Sequence, residues 1–180
     1  MSASTADGAD APRLRVRAAV TGQPQSSIST GLPVLDHLIS LLAEYASLEL
    51  SLEVQPGATA DEVAAAGRAL GEALAGELSD PGVRGHGSSA VPADEALAHV
   101  ALDTSDRPMV YSNVDLSEAR VGGLATDLAA RFLNQLAESA GATLHVRLIE
   151  GSDTQHVLEA IFKALGVALA QAMRPRRRAA

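Results

Sequence analysis

The sequence has no cysteine and no tryptophan, and aromatic residues make up only 2% of its 180 positions. Without a thiol there is no disulfide framework, no thiolate nucleophile and no cysteine-based zinc site. With so few rings, the core must come mainly from leucine, valine, isoleucine and alanine. Such small side chains demand close backbone approach and favour helices packed on sheet. No apolar run reaches the roughly 18 residues of a membrane span. The opening MSASTADGADAPR lacks the basic start and apolar stretch of a secretory signal. The expectation is a cytoplasmic protein with no membrane partner. Positive charge is scarce too, with 14 Lys and Arg against 22 Asp and Glu and a net charge of −8. Nucleic acid is therefore excluded as a partner, because phosphate neutralisation needs a basic face. Arg174, Arg176, Arg177 and Arg178 are the exception, and they read as a solvated tail.

What is present suffices for a full core, with 47% of residues apolar and 20% charged. The chain also repeats itself. Ala43-Glu44 matches Ala137-Glu138, Leu50 matches Leu144 and Gly57 matches Gly151 at an offset of 94. Leu70-Gly71 matches Leu165-Gly166 at 95. A repeat of about half the chain predicts two fused copies of one α/β unit. Each copy reads as two strands, a helix, a strand and a helix.

The boundaries follow from composition and periodicity. Residues 1–12 are polar and unpatterned and predict a disordered tail. Residues 13–94 form the first half. There Leu14 and Val16 alternate in a strand, Ser26 to Thr30 form a short strand closing a hairpin, and Val34 to Tyr45 have helical spacing. Leu48 to Val54 alternate as a half-buried strand, and Asp61 to Leu78 form a helix whose Ala and Gly positions permit close packing. Ser79 to Val91 read as a glycine-rich connector, without the GxxxxGK[ST] or GxGxxG pattern of a nucleotide loop. Residues 95–173 form the second half and residues 174–180 a basic tail.

Candidate chemistry is concentrated near the end. His156 and Glu159 lie three apart on one side of a helix, and His145 lies on the preceding strand, so the three can supply nitrogen and carboxylate donors to a transition metal. On the residues alone, a solvated helix face competes with that reading. His37 is an ordinary helix histidine or one held by Asp36, and Asp61 suits the positive end of its helix without any metal. His86 sits between glycines as an exposed loop residue or a substrate contact.

Several motifs in order now carry a resemblance. Ser29 to Leu38 (STGLPVLDHL), Val91 to Leu97 (VPADEAL), Leu102 to Pro108 (LDTSDRP), Leu144-His145-Val146 and His156 to Ala164 (HVLEAIFKA) resemble imidazoleglycerol-phosphate dehydratase, over roughly residues 28–173. The resemblance implies a ribosomal protein S5 domain 2-like fold of two similar halves, each a four-stranded mixed sheet on two helices, assembled as a 24-subunit homo-oligomer. It implies active sites between subunits, with two manganese ions held by an LDHM-like histidine, a strand histidine and an HHxxE motif in each half. His37, His145, His156 and Glu159 match that set, and Arg107 and Lys163 match phosphate-side residues.

The departures matter equally. Ala60, Asp61 and Ala64 stand at the first HHxxE, Gln155 at the leading histidine of the second, and Tyr45 at a further histidine. Gly85 stands at a phosphate-side arginine, and the C-terminal serine-threonine-lysine-glycine segment and a TxET-like glutamate are missing. The expectation is one manganese or other divalent transition metal per site, with Asp61 as a candidate new ligand, and not the full pair. Three functions follow: a dehydratase-like protein without dehydratase activity, in a structural, regulatory or ligand-binding role; a working manganese-dependent dehydratase of histidine biosynthesis; or a single-metal enzyme acting on another small anionic substrate.

Overall fold

The computed structural model describes residues 14–17, 26–115 and 119–176. The expected N-terminal tail and the last two tail arginines lie outside them. The elements are β1 (Leu14–Arg17), β2 (Ser27–Ser29), α1 (Pro33–Ala46), β3 (Glu49–Glu53) and α2 (Thr59–Ser79), then β4 (His86–Ala93), β5 (Ala96–Thr104) and β6 (Met109–Ser112). They continue with β7 (Arg120–Val121), β8 (Leu124–Ala125), α3 (Thr126–Ala140), β9 (Ala142–Glu150) and α4 (Thr154–Ala172). Among the described residues no helix is long and apolar enough to cross a membrane.

The repeat is visible in the topology. One sheet has the order β1-β3-β2, with β1 antiparallel and β2 parallel to β3. The other has the order β4-β5-β9-β6, with β5 antiparallel and β6 parallel to β9. Parallel neighbours need a crossover, which α1 provides between β2 and β3 and α3 between β6 and β9. Thus β2 does not close a hairpin with β1, as its spacing suggested, but lies on the far side of β3. A second difference concerns the glycine-rich connector. Its residues His86–Ala93 form β4, paired antiparallel with β5 through a two-residue turn at Asp94 and Glu95. Gly87, Val91 and Ala93 turn inward, and serines and Pro92 between them obscured the alternation.

Helix ends repeat at the offset of 94. Ser47 and Gly141 end α1 and α3 in left-handed conformation, and each donates its N–H to the carbonyls four and three residues back. Between the sheets the helices pair across the halves. At Gly71 a Cβ would lie 2.6 Å from the Leu136 carbonyl oxygen of α3, and at Gly166 one would lie 2.6 Å from the Leu42 carbonyl oxygen of α1. These contacts join equivalent residues, so each half completes its helix packing with a helix of the other.

The core is the expected one of Leu, Ile, Val and Ala, with Phe132 and Phe162 as its largest side chains. Their rings stack at 5.6 Å between centroids, an interaction worth about 0.5–1.5 kcal/mol beyond burial. Leu144 and Val146 of β9 are buried while His145 and Arg147 are exposed. The helices therefore cover one face of the second sheet and leave the other open.

Candidate functional site

The side chains singled out above lie in a cleft between α1 and α4, at the start of α4, on the open sheet face and at exposed positions on α2 and β4 and in the β5–β6 turn. In the cleft, α1 and α4 bring His37 and Glu159 together, with Nε2 and Oε1 3.2 Å apart. Local structure fixes the approach of α1. Asp36 accepts from the Thr30 N–H at 2.8 Å and from its hydroxyl at 2.5 Å, which ties the Thr30–Leu32 loop to the first turn. Asp36 thus braces the loop and does not engage His37. On α4, Gln155 donates its amide to Glu159 at 3.0 Å. Pro33, Val34, Leu38, Leu158 and the β7–β8 hairpin at Val121 and Gly122 complete a cleft of about 190 Å³.

Partial burial opposes the ionised form of Glu159, but hydrogen bonds from Gln155 and His37 and the nearby charges of His37 and Lys163 outweigh it. The carboxyl is held below its ordinary range. Lys163, one turn further along α4, lies over the Tyr45 ring at 5.8 Å. The position expected to carry phosphate-side charge thus belongs to the same α1–α4 groove. Arg107 is exposed in the turn between β5 and β6, its N–H donating to Ser105 Oγ.

His156 leaves the same helix in a different direction. Asp153 caps α4 by accepting from the N–H groups of Gln155 and His156. Glu95, at the tip of the β4–β5 turn, accepts from the N–H groups of Ser152 and Asp153 through one oxygen and meets His156 Nδ1 at 2.5 Å through the other. Asp94 faces His156 Nε2 at 3.3 Å. The Asp153 N–H first, and His156 second, hold the Glu95 carboxyl at about 2. The hydrogen bond to Glu95, reinforced by the charges of Glu95, Asp153 and Asp94, overcomes desolvation and raises His156. With Glu95 at Nδ1 and Asp94 facing Nε2, both ring nitrogens of His156 are turned to carboxylates of the β4–β5 turn and not to Glu159. Sequence reasoning missed Glu95 in this role, because only the pairing of β4 with β5 carries the turn to the end of α4.

His145 lies on the open face of the second sheet, stacked on Tyr111 of β6 at 4.9 Å. Its neighbours Leu144 and Val146 point to the helices, which sends it away from them. Within one chain it therefore does not meet Glu159. Asp61 is exposed in the first turn of α2, while its neighbour Glu62 is buried and accepts from the Gly57 N–H at 2.7 Å. His86 pairs with Arg84 at the start of β4.

These positions test the fit of a metal. Two donors about 2.0–2.2 Å from one ion at adjacent positions stand roughly 3 Å apart, and the His37–Glu159 spacing suits that. Among the described residues no group of three or more His, Asp or Glu could hold an ion. One chain therefore supplies two well-placed donors, and its described residues do not fit a two-ion centre.

Comparison with known proteins places this geometry in a family. The sequence model of imidazoleglycerol-phosphate dehydratase matches residues 30–169. The imidazoleglycerol-phosphate dehydratase of Syntrophobacter fumaroxidans is 43% identical over 159 residues, covering 86% of this chain and 81% of the relative. That of Pelobacter propionicus is 38% identical over 166 residues, covering 90% and 85%. The crystal structure of the Staphylococcus aureus dehydratase superposes with a TM-score of 0.82 at 33% identity, covering 91% of this chain and 95% of that one. The Pyrococcus furiosus structure, a complex with (S)-C348, gives 0.81 at 28% identity, covering 96% and 94%. On sequence and on structure alike, the chain belongs to the imidazoleglycerol-phosphate dehydratase family.

Proposed function

We propose that this family member keeps the dehydratase fold in a structural, regulatory or ligand-binding role, holds no more than one divalent cation per chain at the His37–Glu159 cleft, and does not carry out two-metal dehydration. One observation carries the reading. Ala60 and Ala64 have no side-chain donor atom where the resemblance implies a histidine and a glutamate, and among the described residues of one chain no group of three or more His, Asp or Glu could hold an ion. A second feature supports it. Gly85 stands where the resemblance implies a phosphate-side arginine; its φ is +73°, and a Cβ there would lie 2.9 Å from Thr104 Oγ1. A side chain starting at this point meets both backbone strain and an occupied space.

The rival reading is a working manganese-dependent dehydratase of histidine biosynthesis, a lyase. A specific observation favours it: the relatives at 38–43% identity, aligned over 81–85% of their length, all bear the dehydratase's name. On that reading, further donors come from neighbouring subunits. A large homo-oligomer is part of both proposals and is supported by the open face of the second sheet. Met109, Tyr111 and Ile149 on β6 and β9 are 47%, 49% and 58% exposed, apolar side chains on one face that a partner copy would cover.

Metal analysis of the purified protein, combined with a dehydration assay on imidazoleglycerol phosphate in the presence of manganese, separates the readings. The expected result is one equivalent of metal or less, lost in His37→Ala, and no turnover. Two equivalents per chain with sustained turnover would establish the working enzyme instead.

A further inference from the structure

A cleft of about 660 Å³ lined by Arg84, His86, Arg174, Pro175 and Arg176 takes no part in the site described above. Of the segment after α4, expected to be a solvated tail, the described residues 173–176 are pinned alongside residues 82–85. Val83 and Pro175 form an antiparallel bridge. Arg84 N–H donates to the Arg174 carbonyl at 2.9 Å, Arg176 N–H to that of Gly82 at 2.7 Å and Gly85 N–H to that of Ala172 at 3.0 Å. In this register Arg84 stands opposite Arg174 and Arg176 opposite Gly82, so alternation puts all three arginines on one face of the ribbon.

Like charges directly across a ribbon repel. Among the described residues, none of these guanidinium groups is paired with a carboxylate. Asp80, on the same loop, is engaged by the Gly82 N–H at 2.6 Å. Two of the forks are held in place. Arg84 Nη2 lies 3.2 Å from His86 Nε2, and His86 Nδ1 lies 3.1 Å from the Arg84 carbonyl oxygen, so the ring spans the Arg84 side chain and its backbone as a strut. Arg176 Nε–H donates to the Val83 carbonyl at 3.3 Å. Guanidinium groups fixed through one N–H keep the rest of the fork for a ligand, at little further cost in side-chain entropy.

From this we infer that the ribbon of Arg84, Arg174 and Arg176 is a binding site for a small phosphate-bearing anion, separate from the His37–Glu159 cleft. Three forks on one face match the several oxygens of a diphosphate or a phosphate ester better than a single carboxylate. The cleft is also wider than an orthophosphate ion needs. The site stands whether or not the first cleft binds or turns over anything.

Titration calorimetry of the full chain with inorganic pyrophosphate, in metal-free buffer at low and at physiological salt, tests the inference. Pyrophosphate is expected to bind the wild type. The double variant Arg84→Gln/Arg176→Gln is expected to weaken it at least about tenfold, with Arg131→Gln, an exposed arginine of α3, unchanged. Absence of binding to the wild type would overturn the inference, as would a loss confined to Arg107→Gln, Lys163→Gln or the replacement of Arg177 and Arg178. Circular dichroism checks the fold of each variant. Should the glutamine pair not fold, Arg84→Lys/Arg176→Lys keeps the charge and removes the fork. Affinity undiminished in that variant would equally sink the proposal.

Discussion

Among single residues, His156 departs furthest from what its motif suggests. In the sequence it is the histidine of an HxxE pair, yet in the fold it belongs to Glu95 and Asp94. Its titration is accordingly expected above the ordinary imidazole value of 6.5, and Glu95→Gln should bring it back down. Histidine resonances followed against pH by NMR measure this; a wild-type His156 titrating at or below 6.5 would refute the pairing. The sign for stability follows from both shifts. The Glu95 contribution is complete above its ordinary value of 4.5 and is lost as pH falls through about 2. The His156 contribution is complete below 6.5 and is lost as pH rises through its raised value. The pair thus stabilises the fold most between those two ordinary values. Both groups are exposed, so the effect is small.

Helix contacts explain why this chain is rich in glycine and alanine. A methyl group added at Gly166 would come within 2.8 Å of both the Leu42 carbonyl oxygen and Tyr45 Cβ, whereas one at Gly76, on the exposed side of α2, would meet nothing within 4 Å. Gly166→Ala is expected to destabilise by about 1–3 kcal/mol, since α1 must move as a backbone. Gly76→Ala should stabilise by about 0.5–1 kcal/mol, because there only chain entropy changes. Denaturant unfolding of the two variants reads the opposite signs. Equal effects would mean that the α1–α4 contact is looser than the geometry requires. Helix positions were legible because apolar residues recur with helical period at Leu35, Leu38 and Leu42, and at Phe132, Leu133 and Leu136. The β7–β8 hairpin was not, since two-residue strands leave no period to detect.

For the whole molecule, the open face of the second sheet makes a prediction about assembly. The protein should have the mass of a large homo-oligomer in solution, and Tyr111→Asp combined with Ile149→Asp should shift it to smaller species. Light scattering coupled to size exclusion measures both. A monomeric wild type would remove the shared-site argument along with the oligomer.

The internal offset of 94, the αβ alternation and the family motifs were all written in the chain itself, because each depends on spacing along one dimension. So was the lack of donors at Ala60 and Ala64, since no fold can give alanine a lone pair. What only tertiary structure decided was which surviving groups meet. His37 reaches Glu159 across 122 positions, His156 is taken by a turn 61 residues away, and Arg174 and Arg176 are fastened to residues 82–84. Such pairings depend on strand register and helix approach. Those are settled by how Leu, Ala and Gly fill a shared interior, and no local pattern of charged residues records it.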